Sequence, residues 1–238
     1  MSQRFLRNKD LINQDALTDI CIVGAGGIGS FVIQALTIMG WDDIIVWDDD
    51  TVAEHNLSST AYPADMVGRS KVLAAGTLHN LYADNKQTLT GYQRKWLPFE
   101  NAHPRTIVCT DDMESRKNLF EKWSDHSFKD FFIDGRMGAT TVELCTQTSR
   151  TPEHTYMDEW IPTDSVPKPP CSMKHTVFAA QFIAAQIVSQ VYNIVGNLSY
   201  YDYINTCLSP HLVTYGNQII PRINTEEYTY DRSTQSTN

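Results

Sequence analysis

The feature that most constrains this chain is residues 21–30, where a short apolar run passes straight into glycines spaced G-x-G-x-x-G at Gly24, Gly26 and Gly29, with Gly27 between them. A strand entering such a turn leaves it as a helix. Gly24 permits the tight turn, Gly26 lets a phosphate approach the backbone, and Gly29 lets the helix pack on the strand with its N-terminus facing the anion. The spacing alone is shared by dinucleotide sites and other nucleotide sites, so the residues downstream must choose between NAD and another nucleotide.

Hydrophobic periodicity extends the unit. Residues 20–24 read as a strand and 28–40 as a helix with apolar Ile28, Phe31, Val32, Ala35, Leu36 and Met39, ended by Gly40. Residues 43–47 form a second apolar strand that closes a βαβ unit, with Asp48 at its tip. Further on, the pattern predicts a helix over 70–79, a strand over 88–92, a strand over 106–110 ending in Asp111-Asp112, a helix over 114–124 and a strand beginning at 131–134. Asp134 to Gly138 reads as a glycine turn. This alternation predicts an α/β fold: a doubly wound, mostly parallel, Rossmann-like sheet with helices on both faces.

Residues 149–172 interrupt the rhythm with five prolines in a polar stretch, which predicts a long crossover loop. An apolar helix follows over 176–195. One domain over 1–223 is expected, with residues 224–238 a polar, disordered tail.

A net charge of −9 disfavours nucleic acid or an anionic membrane as the main partner. Five scattered cysteines give no disulfide framework and no paired C-x-x-C motif, so no structural zinc is expected. The N-terminal segment has no apolar signal core, and no apolar run reads as a membrane span. A cytoplasmic protein is expected.

Asp48 stands about where the ribose-binding acid of a nucleotide fold belongs. Residues 48–57 form a polar loop, and Lys71 opens the next helix. A dehydrogenase needs neither, whereas triphosphate chemistry needs a cation near the phosphates.

Four ordered motifs then resemble the adenylating domain of the ThiF/MoeB/HesA family, relatives of ubiquitin-activating enzymes. They are the glycine loop Gly24 to Gly29, the segment Asp48-Asp49-Asp50-Thr51-Val52 with Asn56-Leu57, the helix start Gly68 to Lys71, and Cys109-Thr110-Asp111-Asp112 with Arg116. Upstream, Arg4-Phe5-Leu6-Arg7-Asn8 resembles the family's R-Y-x-R-Q segment.

The resemblance implies ATP-dependent adenylation of the C-terminal carboxylate of a ubiquitin-like or sulfur-carrier protein, or of a peptide, with release of pyrophosphate. It implies Asp48 and Asp50 at the nucleotide, Asn56 and Lys71 at the phosphates, and Asp111 as the ligand of Mg²⁺. Arg7 would act across a homodimer on the partner's ATP, and Cys171, ahead of the last long helix, would be the crossover-loop cysteine that some relatives use to form a thioester or persulfide. His175 is its candidate base. The family's N-L-x-R-Q reads Asn56-Leu57-Ser58-Ser59-Thr60 here, so one phosphate-binding charge is missing at Ser59, with Arg69 and Arg136 as candidate replacements. Two alternatives stand beside this reading: a catalytically weakened nucleotide-binding scaffold and an NAD-dependent oxidoreductase.

Overall fold

A computed structural model of the chain describes residues 3–151, 156, 176–216 and 219–220. The glycine turn joins β1 (Asp19–Val23) to α1 (Gly27–Met39). There follow β2 (Asp43–Trp47), α2 (Lys71–Tyr82), β3 (Thr88–Tyr92), β4 (Arg105–Val108) and α3 (Met113–Ser124). β5 (Phe131–Gly138), β6 (Thr141–Thr148), α4 (Val177–Val195), β7 (Tyr200–Tyr201), β8 (Tyr203–Leu208), β9 (His211–Tyr215) and β10 (Ile219–Ile220) complete the described elements.

Eight strands form one sheet in the order β3-β2-β1-β4-β5-β6-β8-β9, while β7 and β10 pair separately. β1 to β5 are parallel, and β5, β6, β8 and β9 pair antiparallel in succession. The chain winds outward from β1 through β2 to β3 and then returns to β4 on the other side of β1. The carboxyl ends of β1 and β4 therefore frame the switch point at which ligands bind in open α/β sheets.

One assignment differs from the sequence reading in a way that shapes the sheet. Asp134 to Gly138 is not a turn but the second half of β5, paired residue for residue with β6. Gly135 makes room rather than a bend, since a Cβ there would lie 2.6 Å from Cδ1 of Ile187 on α4.

Alternation along the strands divides the core. Ile20, Ile22, Ile44, Val46, Phe131 and Ile133 face α1, α2 and α4, and the intervening Cys21, Val23 and Phe132 face α3 with Trp96 and Tyr156. Both faces are covered, as expected. α4 also corrects the view that no apolar run approaches a membrane span: its 19 residues are long and apolar enough by length and composition alone. Here Ala179, Ile183, Ala184, Ile187 and Val191 are buried in the core shared with β5, β6 and α1.

The segment before β1 closes the far end of α1. Arg4 donates to the Thr37 carbonyl at 2.9 Å and to Gln87 Oε1 at 3.1 Å, and Gln87 in turn donates to the Thr37 and Trp41 carbonyls.

Candidate active site

Three of the loop's four glycines have separate steric reasons. Gly24 has φ +98°, and a Cβ there would lie 2.7 Å from the Cys109 carbonyl carbon and the Thr110 nitrogen, so the loop and the end of β4 touch backbone to backbone. A Cβ on Gly29 would run into the carbonyl of Gly24. One on Gly27 would press at 3.2 Å on the Ser59 carbonyl. Of the four, Gly26 alone is open: among the described residues, the one atom within 4 Å of where its Cβ would stand is Lys71 Nζ, at 4.0 Å. Gly26 is also the N-cap of α1, with no side chain capping the helix, so the first-turn amides are turned to whatever lies beside that lysine.

Asp48, one residue past β2, grips this loop. Its Oδ2 accepts from the Ala25 amide at 2.7 Å and its Oδ1 from the Asp50 amide at 2.9 Å. Burial pushes its carboxyl above the usual carboxylate range, and Lys71 pulls it back down. Tyr62, buried, donates to the Ala25 carbonyl at 2.7 Å, and Ser30 Oγ accepts from the Ala61 amide. The loop is therefore bolted from three sides before any ligand arrives.

Lys71 is placed by backbone as well as by sequence. Thr51 and Ser70 form an antiparallel bridge, the Lys71 amide donates to the Asp50 carbonyl at 2.9 Å, and Ser70 caps α2 by accepting from the Leu73 amide. Its Nζ pairs with Asp50 Oδ2 at 2.7 Å, the lysine side chain 12% exposed and the aspartate 64%. An ion pair so exposed on one side is weak and can exchange partners.

Asn56 spends its Oδ1 on the Ala53 amide at 2.9 Å, which leaves its amide nitrogen to donate. Ser59 is buried, with its carbonyl against Gly27 and its amide donating to the Asn56 carbonyl. Position 59 thus adjoins the loop and brings no charge to it.

Asp111 stands exposed beyond β4, two residues from the Cys109 backbone that backs Gly24. Asp112 caps α3, accepting from the Glu114 and Ser115 amides. A lone exposed carboxylate beside a phosphate cradle is a donor set suited to Mg²⁺, which takes one or two carboxylates plus phosphate oxygens and water.

Other expected residues lie elsewhere. Arg7 is exposed in the segment that packs at Gly40, the far end of α1. The 13 residues of α1 put about 20 Å between that end and the loop, so Arg7 does not reach the site of its own chain. Arg136 pairs with Asp134 at 2.9 Å and lies 3.7 Å from Glu143, and Arg69 is exposed; neither comes within 4 Å of the open position at Gly26. Cys171, His175, most of 149–172 and the tail 224–238 fall outside the described residues.

The sequence reading missed Tyr62 and Ser30 as loop fasteners, and it missed the buried ionic cluster behind β4. Arg116 pairs there with Asp134 and donates to the Thr110 and Gly135 carbonyls, and Tyr156 donates to Asp134 Oδ2 at 2.9 Å. Asp134, directly after the apolar run Phe131-Phe132-Ile133 in β5, was the available signal.

A Gly-rich strand-to-helix loop at a topological switch point, with an acid on its amide and a lysine over its open glycine, defines a nucleotide-binding α/β domain. The chain belongs to the ThiF family, whose profile matches residues 9–215. Ubiquitin-like modifier-activating enzyme 5 of Bombyx mori is 26% identical over 140 residues, covering 50% of this chain and 36% of that protein. The chain thus spans about a third of the length of that relative. Among solved structures, E. coli MccB with ATP superposes with a TM-score of 0.69 at 17% identity, covering 93% of this chain and 73% of that one. The E. coli tRNA N6-threonylcarbamoyladenosine dehydratase TcdA gives 0.62 at 18%, covering 81% and 94%.

Proposed function

We propose that this chain binds ATP at the glycine loop and joins its AMP moiety to the C-terminal carboxylate of a ubiquitin-like or sulfur-carrier protein, or of a peptide. The observation that carries the reading is Lys71 Nζ poised over Gly26, the one loop glycine with open space, at the uncapped N-terminus of α1. A fold neighbour solved with ATP and a relative named for activating a ubiquitin-like modifier support the same direction.

In this reaction a carboxylate oxygen attacks the α-phosphorus, the bond from that phosphorus to the oxygen bridging to the β-phosphate breaks, and pyrophosphate departs. The nucleophile is already an anion, so no general base is needed. What the site must supply is alignment and positive charge. Lys71 leaves Asp50 for the phosphates, the α1 amides and the Asn56 amide nitrogen donate to phosphate oxygens, and Asp48 accepts from the ribose. Asp111 holds Mg²⁺, which when bound neutralises phosphate charge. Arg7 serves the site of a second copy in a homodimer, and the Cys171 thiolate attacks the carbonyl carbon of the acyl-adenylate, forming a thioester as the bond to AMP breaks and AMP departs. A reducing cytoplasm is the proposed compartment, in keeping with the free thiols of Cys21, Cys109, Cys145 and Cys207.

The test is pyrophosphate–ATP exchange stimulated by a candidate carrier. Lys71→Ala and Asp111→Ala are each expected to lose about 100-fold or more, and unchanged exchange in either would sink the assigned site. One observation favours a second reading. With uncharged Ser59 beside Gly27, Lys71 is the only cation among the described residues within 4 Å of the open glycine position, so a scaffold that holds ATP without turning it over would bind the nucleotide and show no exchange.

A further inference from the structure

Tyr156 is an isolated described residue within the Pro-rich stretch, and its surroundings are unusual for a side chain that only fills space. It is fully buried, with its ring 4.2 Å from Phe120 and 5.3 Å from Phe132 between centroids. A phenylalanine would satisfy that packing. A buried hydroxyl costs free energy unless it is bonded, and this one donates at 2.9 Å to Oδ2 of Asp134, itself fully buried. Burial keeps the phenol protonated, hence a donor, even against the pull of Arg116 and Arg136.

From Asp134 the contacts run to the site. Its other oxygen, Oδ1, pairs with Arg116, and Nη2 of Arg116 donates to the Thr110 carbonyl. That carbonyl belongs to the residue before Asp111. On the other side of Asp111, the Asp112 carboxylate is held in the α3 cap by the Ser115 amide at 3.1 Å. The turn is therefore clamped at residue 110 by the guanidinium and at residue 112 by the cap, while the Asp111 carboxylate between them is exposed.

We propose that Tyr156 is a positioning residue for the Asp111 turn: through Asp134 and Arg116 it fixes the direction in which Asp111 presents its carboxylate to the metal. This rests on the adenylation reading, in which Asp111 is the metal ligand. Partners that orient a ligand from behind typically govern metal affinity without touching the metal.

The test uses Mn²⁺ as the metal probe, followed by its paramagnetic resonance signal, with an ATP analogue carrying methylene between its α- and β-phosphates. Tyr156→Phe keeps the ring and removes the hydroxyl. It is expected to bind Mn²⁺ about three- to tenfold more weakly in the nucleotide complex, with analogue affinity in the presence of chelator unchanged. Phe120→Leu loosens the same aromatic packing without touching the hydrogen bond, and is expected to lower Tm while leaving Mn²⁺ affinity at the wild-type value. Unchanged Mn²⁺ affinity in Tyr156→Phe, or an equal loss in Phe120→Leu, would overturn the proposal while the adenylation reading stands. If Asp111→Ala binds Mn²⁺ as the wild type does, the metal assignment fails, and this proposal fails with it.

Discussion

Helix α1 begins at Gly26 to Gly29 and stops at Gly40, and the two ends treat their glycines in opposite ways. At the C-terminal end Gly40 takes φ +105° to close the helix, and a Cβ there would meet the Phe5 ring at 2.7 Å and the Gln14 side chain. The chain's own N-terminal segment seals that end. At the N-terminal end the space beside Gly26 holds, among the described residues, only the tip of Lys71. Positive φ at a glycine is therefore no sign of a site by itself. What separates the ends is whether the chain fills the space it has cleared.

Substitutions can break this comparison, and the largest effect belongs to Gly29→Ala. Its methyl would enter the Gly24 carbonyl, backbone against backbone, so a loss of about 3 kcal/mol or more is expected. A thermal melt at the wild-type Tm would show that the loop gives way more easily than its bolts suggest. Gly40→Ala comes next, at about 1–2 kcal/mol for a left-handed non-glycine residue, with ATP affinity unchanged in calorimetry. Weaker ATP binding there would mean that the sealed end communicates with the open one.

Gly26→Ala sharpens the contrast because the effects should separate. Stability should stay within about 0.5 kcal/mol, while a methyl in the phosphate's place weakens ATP binding about tenfold. Loss of both together would place Gly26 in the packing rather than at the ligand.

The smallest effect concerns the interior behind the open end. Burial pushes the thiols of Cys21 and Cys109 from 9.0 to about 12. A folded pKa above the unfolded one means the contribution to stability is whole below pH 9 and is lost as pH rises through about 12. Denaturation midpoints should therefore be insensitive to these thiols at neutral pH and fall above about pH 9, and both cysteines should resist alkylation at about pH 8 in the native protein. Rapid native labelling of Cys109, whose backbone backs Gly24, would show that the opening extends into the core.

The half of the fold that carries the loop was legible because its signals are local. Strand β1, the glycine turn, α1 with its Gly40 stop, β2 and the capped starts of α2 and α3 each announce themselves within a few residues. The antiparallel strands β6, β8 and β9 were not read: Gly135 and Gly138 looked like a stop, whereas Gly135 is cleared space under Ile187. Of the candidate site, Asp48 bonds the Ala25 amide and Lys71 Nζ stands at Gly26, while Asp111 lies two residues beyond the Cys109 backbone that touches Gly24. Tyr62 on the Ala25 carbonyl and Tyr156 on Asp134 were invisible because their partners lie 37 and 22 residues away, and no local pattern encodes such a bond.

The central claim is that the open end of α1 is a triphosphate site whose cation is Lys71. Calorimetric titration of wild type and Lys71→Ala with ATP and Mg²⁺, and with NAD, tests it most directly. The account predicts saturable ATP binding by the wild type, weaker by about tenfold or more in Lys71→Ala with Tm unchanged because its pair with Asp50 is exposed, and no comparable NAD binding. Equal ATP affinity in the two proteins, or NAD bound more tightly than ATP, would contradict it.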